Sequence, residues 1–246
     1  MRLSDKIAIV SGGGSGFGSG IVRKFAKEGA KVIVADIQIE NAKKVAHAAG
    51  GVAVEVDVSN SLSFKNLVST TLEKFGKIDI MVNNAGITHT PKKMEDISEE
   101  EFDRIFSVNS KSVFLCAKYL VPLMTSNGGG NILNIASTAG ISPRPNLSWY
   151  NATKGWMISA TKSMAIELAP KKIRVNALAP VAGETPLLKS FMGGDTPEKR
   201  EKFLSTIPIG RFSTPDDMGN AACFLCSEEA SMITGVILEV DGGRCI

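Results

Sequence analysis

The sequence predicts an α/β fold in a single domain, residues 1–246, with helices on both faces of a doubly wound parallel sheet of seven strands. Short apolar runs alternate with amphipathic stretches, a glycine-rich turn follows the first run, and the second run ends on an acid. This alternation indicates parallel strands joined by right-handed crossovers. We expect strands near residues 6–11, 31–36, 52–57, 78–83, 131–137, 173–179 and 235–240.

The turn after the first strand has the composition of a phosphate-binding loop. The apolar run 7–10 leads into SGGGSGFG, residues 11–18, and a helical pattern with Ile21, Val22 and Phe25 on one face follows. Glycines allow a tight turn and close backbone approach, and the free N–H groups of a helix N-terminus point toward a pyrophosphate. A flexible loop can look the same, so the interpretation depends on the next strand.

The second strand ends on Asp36, twenty residues after Gly16. At this position a carboxylate accepts hydrogen bonds from the hydroxyls of an adenosine ribose. An ordinary turn acid is the alternative, but the order of strand, turn, helix and strand favours a dinucleotide-binding, Rossmann-type sheet. Because the carboxylate would repel the 2′-phosphate of NADP, and Ser15 adds no positive charge in the turn, we expect NAD.

One long segment interrupts the alternation. Residues 180–210 contain four prolines and two adjacent glycines, Gly193 and Gly194. Long irregular segments at the carboxyl edge of such a sheet are where ligands bind, so we expect a substrate lid at about 182–205. A plain connector is the alternative.

Tyr150 and Lys154 lie one helical turn apart, on the same face of a helix. An ammonium about 4 Å from the phenol, at an effective dielectric of about 20, would favour the phenolate by about 4 kcal/mol. That is nearly three pKa units, which would bring the pKa of Tyr150 from ~10 to about 7 and make it a general acid/base. Ser137, at the expected end of the fifth strand, is placed to hydrogen-bond a substrate oxygen. A surface lysine beside a half-buried tyrosine is the alternative.

Composition narrows the function classes. The net charge is +3 with acids and bases interspersed, so nucleic acid is not an expected partner. No run approaches the ~20 apolar residues of a membrane span and the first residues lack a signal peptide, so we expect a cytoplasmic protein. The CxxC pair Cys223 and Cys226 lies on an expected helix capped by Thr214, with no second pair and only two histidines in the chain. We interpret these cysteines as buried thiols and expect no metal.

Several further motifs occur in a fixed order along the chain: the turn Ser11–Gly12 with Gly16–Phe17–Gly18, then Asp57-Val58, Asn83-Asn84-Ala85-Gly86, and the set Asn109, Ser137, Tyr150 and Lys154. With these motifs the chain resembles, over nearly its whole length, the classical short-chain dehydrogenase/reductase family, in which Asp57-Val58 would lie beside the adenine and the last four residues would occupy the catalytic positions. The chain departs from the family after the sixth strand, where Pro180-Val181-Ala182-Gly183 replaces the usual Pro-Gly.

The resemblance implies an NAD(H)-dependent oxidoreductase that interconverts a secondary alcohol and a ketone on a small-molecule substrate. Tyr150 would transfer the proton, Lys154 would lower the pKa of Tyr150 and hold the nicotinamide ribose, and Asn109 would shape its helix so that a water links Lys154 to solvent. The residues it implies for the cofactor are Gly12, Ser15, Gly16, Phe17, Gly18, Asp36, Ile37, Asp57, Val58, Asn84, Ala85, Gly86, Tyr150, Lys154, Pro180, Gly183 and Thr185.

Two other functions stay open. The 3-oxoacyl-[acyl-carrier-protein] reductases share the pattern and usually present two basic positions to the acidic carrier. Here the first reads Asn127–Gly130 and only the second, Lys171-Lys172, is basic, which favours a free small molecule. A non-catalytic dinucleotide-binding sensor or scaffold typically lacks the tyrosine or the lysine, and this chain has both.

The substrate itself is not specified by the sequence. The expected pocket walls are the lid together with Thr88, His89, Thr138, Arg144 and Asn146. For His89 a solvated loop position is an equal alternative.

The seventh strand should form the edge of the sheet, with only a few residues after it. An exposed edge is an aggregation liability unless something covers it. We therefore expect a homo-oligomer in which two-fold symmetry buries this edge, and the family resemblance implies a homotetramer, with a dimer as the alternative.

Overall fold

The computed structural model describes all residues, 1–246. One sheet of seven parallel strands, in the order β3-β2-β1-β4-β5-β6-β7, forms the centre of a single domain. The strands are β1 (Ile7–Ser11), β2 (Lys31–Asp36), β3 (Val52–Glu55), β4 (Ile80–Asn83), β5 (Gly130–Ile135), β6 (Ile173–Pro180) and β7 (Ile237–Val240). The predicted doubly wound fold is confirmed, and β7 is an edge strand. The order of strands reverses between β1 and β4, and in such sheets ligands bind outside the carboxyl ends at this point.

Helices cover both faces of the sheet. They are α1 (Gly16–Lys27), α2 (Ile39–Ala49), α3 (Ser61–Phe75), α4 (Glu99–Phe106), α5 (Ser112–Ser126), α6 (Ser148–Leu168), α7 (Leu188–Met192), α8 (Pro197–Leu204) and α9 (Pro215–Cys226). The apolar faces of α1, α2 and α9 pack on one side, and those of α3, α5 and α6 pack on the other. No helix combines the length and apolar character needed to cross a membrane.

Local sequence explains where α9 begins and how closely it packs. The Thr214 side chain accepts a hydrogen bond from the backbone N–H of Asp217, the Asp217 carboxylate accepts one from the backbone N–H of Thr214, and Pro215 occupies the first turn. Cys223 and Cys226 are buried on this helix, as predicted. A Cβ atom on Gly20 of α1 would lie 2.1 Å from the Pro215 carbonyl oxygen, so glycine sets the close crossing of α1 and α9.

The segment 181–214, between β6 and α9, is not wholly irregular. It contains the short helices α7 and α8 and has its own apolar cluster, formed by Val181, Leu188, Met192, Ile207 and Phe212. On its surface Arg200 pairs with Asp195 at 2.6 Å and with Glu184 at 2.9 Å. The segment therefore has internal packing that holds it at the carboxyl edge of the sheet.

Candidate active site

The glycine turn between β1 and α1 fits a phosphate group through its shape. Gly12 and Gly16 adopt positive φ angles of 62° and 50°, which favour glycine. A Cβ atom on Gly18 would lie 2.1 Å from the Gly12 carbonyl oxygen. Ser15 precedes the first turn of α1, and its side chain makes no capping hydrogen bond. The turn thus presents bare backbone and a free hydroxyl at a helix N-terminus, where anions bind.

A network of hydrogen bonds ties this turn to the segment after β4. The Ser11 hydroxyl oxygen accepts hydrogen bonds from the backbone N–H groups of Asn84 and Ala85, both at 3.1 Å. The Asn84 side-chain amide donates to the carbonyl oxygens of Ser11 (2.8 Å) and Gly12 (3.1 Å). The Asn84 side chain therefore holds the two loops together.

The two predicted acids stand at the ends of neighbouring strands. Asp36 accepts backbone hydrogen bonds from Gly14 and Gln38, one on each carboxylate oxygen and both at 2.9 Å. Each oxygen keeps a further acceptor position for a ribose hydroxyl. Ile37 beside it is exposed. Asp57 accepts from the backbone and hydroxyl of Ser59, and Val58 is buried.

The segment 180–183, which differs from the family's usual Pro-Gly, still places a glycine next to the glycine turn. A Cβ atom on Gly183 would lie 2.2 Å from the Phe17 ring, so only glycine allows the two segments to touch here. Thr185 lies above the turn, 3.1 Å from where a Cβ of Gly16 would stand. Pro180 and Gly183 line a cleft with these residues. The longer connection therefore returns to the glycine turn within three residues of β6.

The predicted catalytic residues Ser137 and Tyr150 line the same cleft. Its walls are formed by Phe17, Ser137, Tyr150, Pro180, Val181, Ala182, Gly183, Thr185, Leu187, Leu188 and Phe191. Ser137 follows β5 by two residues, and its hydroxyl oxygen accepts a hydrogen bond from the backbone N–H of Ala139 at 3.1 Å. Phe191 of α7 packs edge-on against the Tyr150 ring, with the ring centroids 5.5 Å apart. No pattern in the sequence predicted this aromatic contact between α7 and Tyr150.

The prediction of a pKa near 7 for Tyr150 is wrong for this structure. Burial raises the pKa of Tyr150 to about 12, against a smaller lowering by the Ser137 hydroxyl. Burial also lowers the pKa of Lys154 to about 8. The Lys154 ammonium lies 5.9 Å from the centroid of the Tyr150 ring and donates to the Ile135 carbonyl oxygen at 2.8 Å. Spacing placed the two side chains together, but it did not reveal how strongly their burial disfavours both charges.

Asn109 lies in a π-helical turn, Ser107–Lys111, between α4 and α5. Its side-chain oxygen accepts from the backbone N–H of Ile87, and its amide donates to the Ile87 carbonyl oxygen, both at 2.9 Å. The amide also donates to the Thr153 hydroxyl at 3.1 Å. A Cβ atom on Gly86 would lie 3.4 Å from the Asn109 oxygen and 3.5 Å from the Lys154 nitrogen. Asn109 therefore fixes the loop after β4 against the helix that carries Tyr150 and Lys154.

His89 does not occupy a solvated loop position, which was one of the two predictions for it. The side chain is 95% buried, since only 5% of its surface is exposed. Its Nδ1 lies 2.8 Å from the Thr90 carbonyl oxygen, and its Nε2 has no hydrogen-bond partner within the chain. Among the other expected walls, Thr138 is buried and Arg144 packs against Phe203 of α8.

The positions that would contact a carrier protein lie elsewhere. Residues 127–130 lead into β5, which begins at Gly130, and residues 171–172 precede β6; the backbone N–H of Gly130 donates to the Lys172 carbonyl oxygen at 3.1 Å. These residues lie at the amino-terminal ends of the strands, whereas Ser137 lies at the carboxyl ends, on the opposite edge of the sheet.

Several known proteins similar to this chain are named as dehydrogenases or reductases. The profile of a family described as enoyl-(acyl carrier protein) reductase matches residues 12–244. A 4-formylbenzenesulfonate dehydrogenase of Comamonas testosteroni is 46% identical over the full length of both chains. A crystal structure of a putative short-chain dehydrogenase/reductase from Burkholderia xenovorans has a TM-score of 0.92 and 35% identity, covering 99% of this chain and 97% of that one. This chain belongs to the short-chain dehydrogenase/reductase family.

Another solved member of the family has a bound dinucleotide. The structure of a 3-ketoacyl-(acyl-carrier-protein) reductase from Brucella melitensis, complexed with NADH, has a TM-score of 0.95 and 52% identity to this chain. The alignment covers 99% of this chain and all of that one. As a short-chain dehydrogenase/reductase, the chain is an oxidoreductase, and the three relatives described above are named as dehydrogenases or reductases.

Proposed function

We propose that this short-chain dehydrogenase/reductase uses NAD(H) to interconvert a secondary alcohol and a ketone on a free small molecule, with Tyr150 as general acid/base. One observation carries the proposal. The hydroxyls of Tyr150 and Ser137 open into the same cleft as Phe17 and Thr185, which border the glycine turn. A dinucleotide held at the turn and a substrate held at the hydroxyls would therefore meet in one place.

The residues for the cofactor are the predicted set, and they follow the carboxyl ends of successive strands. Gly12–Gly18 follow β1, Asp36 and Ile37 end β2, Asp57 and Val58 follow β3, and Asn84–Gly86 follow β4. When bound, NAD(H) supplies the hydride chemistry, while the protein contributes position and the proton. The NADH complex of the Brucella melitensis relative supports this cofactor.

The proton step belongs to Tyr150. In the reducing direction its hydroxyl donates a proton to the substrate oxygen, while the Ser137 hydroxyl donates a hydrogen bond to the same oxygen. The Lys154 ammonium has three donors, of which Ile135 takes one. The two remaining donors can reach a ribose hydroxyl and favour the tyrosinate, which opposes the rise in the pKa of Tyr150 caused by burial. Asn109 is a positioning residue, because its contacts are with Ile87 and Thr153.

A carrier-protein thioester is the second candidate substrate, and it is favoured by the name of the Brucella melitensis relative. Against it, residues 127–130 offer no positive charge to an acidic carrier. A non-catalytic sensor is the third candidate, and the presence of both Tyr150 and Lys154 argues against it.

We further propose that residues 182–205 act as a substrate lid and that the protein is a cytoplasmic homotetramer. Phe191 of this segment already contacts Tyr150, which supports the lid. The edge strand β7 keeps most of its residues partly exposed, and an exposed edge favours a partner. Four unpaired cysteines suit a reducing compartment.

The test is a set of turnover assays in which the absorbance of NADH is measured. Consumption of NADH is measured with a panel of ketones, and formation of NADH from NAD is measured with the matching secondary alcohols. Tyr150→Phe should lower kcat at least ~100-fold on any active pair, because general acid–base catalysis contributes about that much. NADH affinity should change little, since the phenyl ring keeps its packing. Tyr119→Phe, which removes the only other phenol, is the matched control and should keep the wild-type rate. A Tyr150→Phe enzyme that retains more than about a tenth of the activity would place proton transfer on another residue.

A further inference from the structure

Arg144 and Arg244 lie near each other beside the lid, since Arg244 bonds to Ser142, two residues before Arg144, and its charge acts on Arg144. The Arg144 guanidinium lies over the Phe203 ring, 4.4 Å from its centroid, and donates to the Thr206 hydroxyl at 3.3 Å. Arg244 donates to the Ser142 hydroxyl at 3.3 Å, and its Nε is buried without an acceptor. Neither arginine takes part in an ion pair. The only hydrogen-bond acceptors of these two guanidinium groups are neutral hydroxyls.

Two acids lie close to the segment that carries Arg244: the carboxylates of Glu239 and Asp241 are within 4.8 Å of the Cys245 thiol, and neither forms an ion pair with Arg144 or Arg244. The Asp241 carboxylate accepts the backbone N–H groups of Gly243 and Cys245 at 2.9 and 2.8 Å. On the lid, Asp195 and Glu184 are both paired with Arg200. Burial and then the charge of Arg244 lower the pKa of Arg144 to about 10, so the Arg144 side chain stays positive at neutral pH. Two like charges held together in a partly buried place are a strong attraction for an anion.

A row of packed aromatic rings leads from Arg144 to the cleft lined by Ser137 and Tyr150. Phe203, on which Arg144 stacks, packs edge-on against Phe191 with centroids 6.0 Å apart, and Phe191 packs against Tyr150. Arg144 also lies on the short segment between Ser137 and Tyr150. The loops after β5, β6 and β7 thus bring the two arginines to the edge of the sheet where ligands bind in this class of fold.

We propose that Arg144 and Arg244 bind an anionic group of the substrate, a carboxylate or sulfonate, whose carbonyl end lies at Tyr150 and Ser137. Phe191 and Phe203 would contact the apolar body that joins the two ends. The guanidinium of an arginine matches such planar or tetrahedral oxyanions through paired N–H donors. This inference rests on the proposed function, since it concerns the substrate of the same site.

Binding tests the inference separately from turnover. The probes are 4-acetylbenzenesulfonate and the longer 6-acetylnaphthalene-2-sulfonate, each compared with its neutral sulfonamide by calorimetry on the NADH-loaded enzyme. We expect at least one sulfonate to bind tenfold or more tighter than its sulfonamide, which corresponds to about 1.4 kcal/mol. Arg144→Gln and Arg244→Gln should each remove most of this preference, and Arg144→Lys should keep part of it. Arg104→Gln, at an exposed arginine of α4, is the control and should keep it all.

Several outcomes would overturn the assignment. Equal binding of sulfonate and sulfonamide at both lengths, no binding of either sulfonate, or an undiminished preference in both glutamine variants would each do so. Inorganic sulfate binding as tightly as the organic sulfonates would mean that the pair holds a free anion and not the substrate. If a sulfonate binds with the expected preference but no ketone is reduced, the anion site stands and the proposed reaction fails. If only neutral ketones are reduced, the reaction stands and the anion site fails.

Discussion

Lys154 is expected to destabilise the cofactor-free protein at neutral pH. Its side chain is 4% exposed, its ammonium has one hydrogen bond, to the Ile135 carbonyl oxygen, and burial lowers its pKa from 10.5 to about 8. Replacement by methionine removes the buried charge and keeps an apolar stem of similar length. The variant should therefore differ from the wild type in how its stability depends on pH.

The sign follows from the number of protons bound in each state. Between pH 8 and 10.5 the unfolded chain keeps the proton on Lys154 while the folded protein releases it, so the stability of the wild type rises with pH in this window. The whole shift is worth about 3 kcal/mol, and about 2 kcal/mol of it should develop between pH ~7 and ~9.5. Loss of the hydrogen bond to Ile135 adds a nearly constant offset of about 1 kcal/mol. The slope of the stability difference with pH, and not its offset, tests the reasoning.

The assay is urea unfolding of the cofactor-free protein at a fixed protein concentration and a series of pH values. The free energy of unfolding of Lys154→Met is subtracted from that of the wild type at each pH, so that groups common to both cancel. Lys162→Met, at an exposed lysine of the same helix, is the control and should give a difference that stays flat. A flat or falling difference for Lys154→Met would refute the argument that burial disfavours its charge.

Four further outcomes are expected. NAD(H) should exceed NADP(H) by at least tenfold in kcat/KM, about 1.4 kcal/mol, because Asp36 repels a 2′-phosphate, and Asp36→Asn should narrow that ratio in steady-state assays. Gly18→Ala should weaken NADH binding and lower stability by about 1–3 kcal/mol in calorimetry and urea unfolding, whereas Gly76→Ala, with no neighbouring atoms, should cost only about 1 kcal/mol. Asn109→Ala leaves both backbone groups of Ile87 unpaired and should cost about 2 kcal/mol or more in the same unfolding assay. Light scattering at micromolar concentration should give a mass near four chains, and a mass near the 26.1 kDa of one chain would contradict the proposed assembly.

Most of the fold could be predicted because it depends on local patterns. Each predicted strand is present, and its bounds differ by at most two residues, since apolar runs and turn glycines are read directly from the chain. The glycine turn and Asp36 were also predictable, because backbone clearance and a strand-end acid are requirements of single positions. The cap of α9 was predictable for the same reason.

The features that the sequence did not predict depend on contacts between distant segments. The π-helical turn at Asn109 is not visible in the residue pattern, because its hydrogen bonds are made to Ile87 and Thr153 on other elements. Arg144 was expected in the pocket wall, but nothing in the sequence connects it with Arg244 one hundred residues later. Only the folded chain places these two charges together.

The pKa of Tyr150 is higher than the sequence predicted, and this difference affects how the site would work. The sequence gives the spacing of Tyr150 and Lys154 but not the dielectric around them, and burial disfavours the charged form of both. A phenol whose pKa is near 12 transfers protons slowly at neutral pH, so the proposed mechanism needs an ammonium that stays protonated and close. Exposing Lys154 would raise its pKa, but water would then screen the effect of its charge on the phenol. The buried position of Lys154 thus lowers the stability of the protein and strengthens the electrostatic interaction on which Tyr150 depends, so Lys154→Met should gain stability at neutral pH while it loses activity.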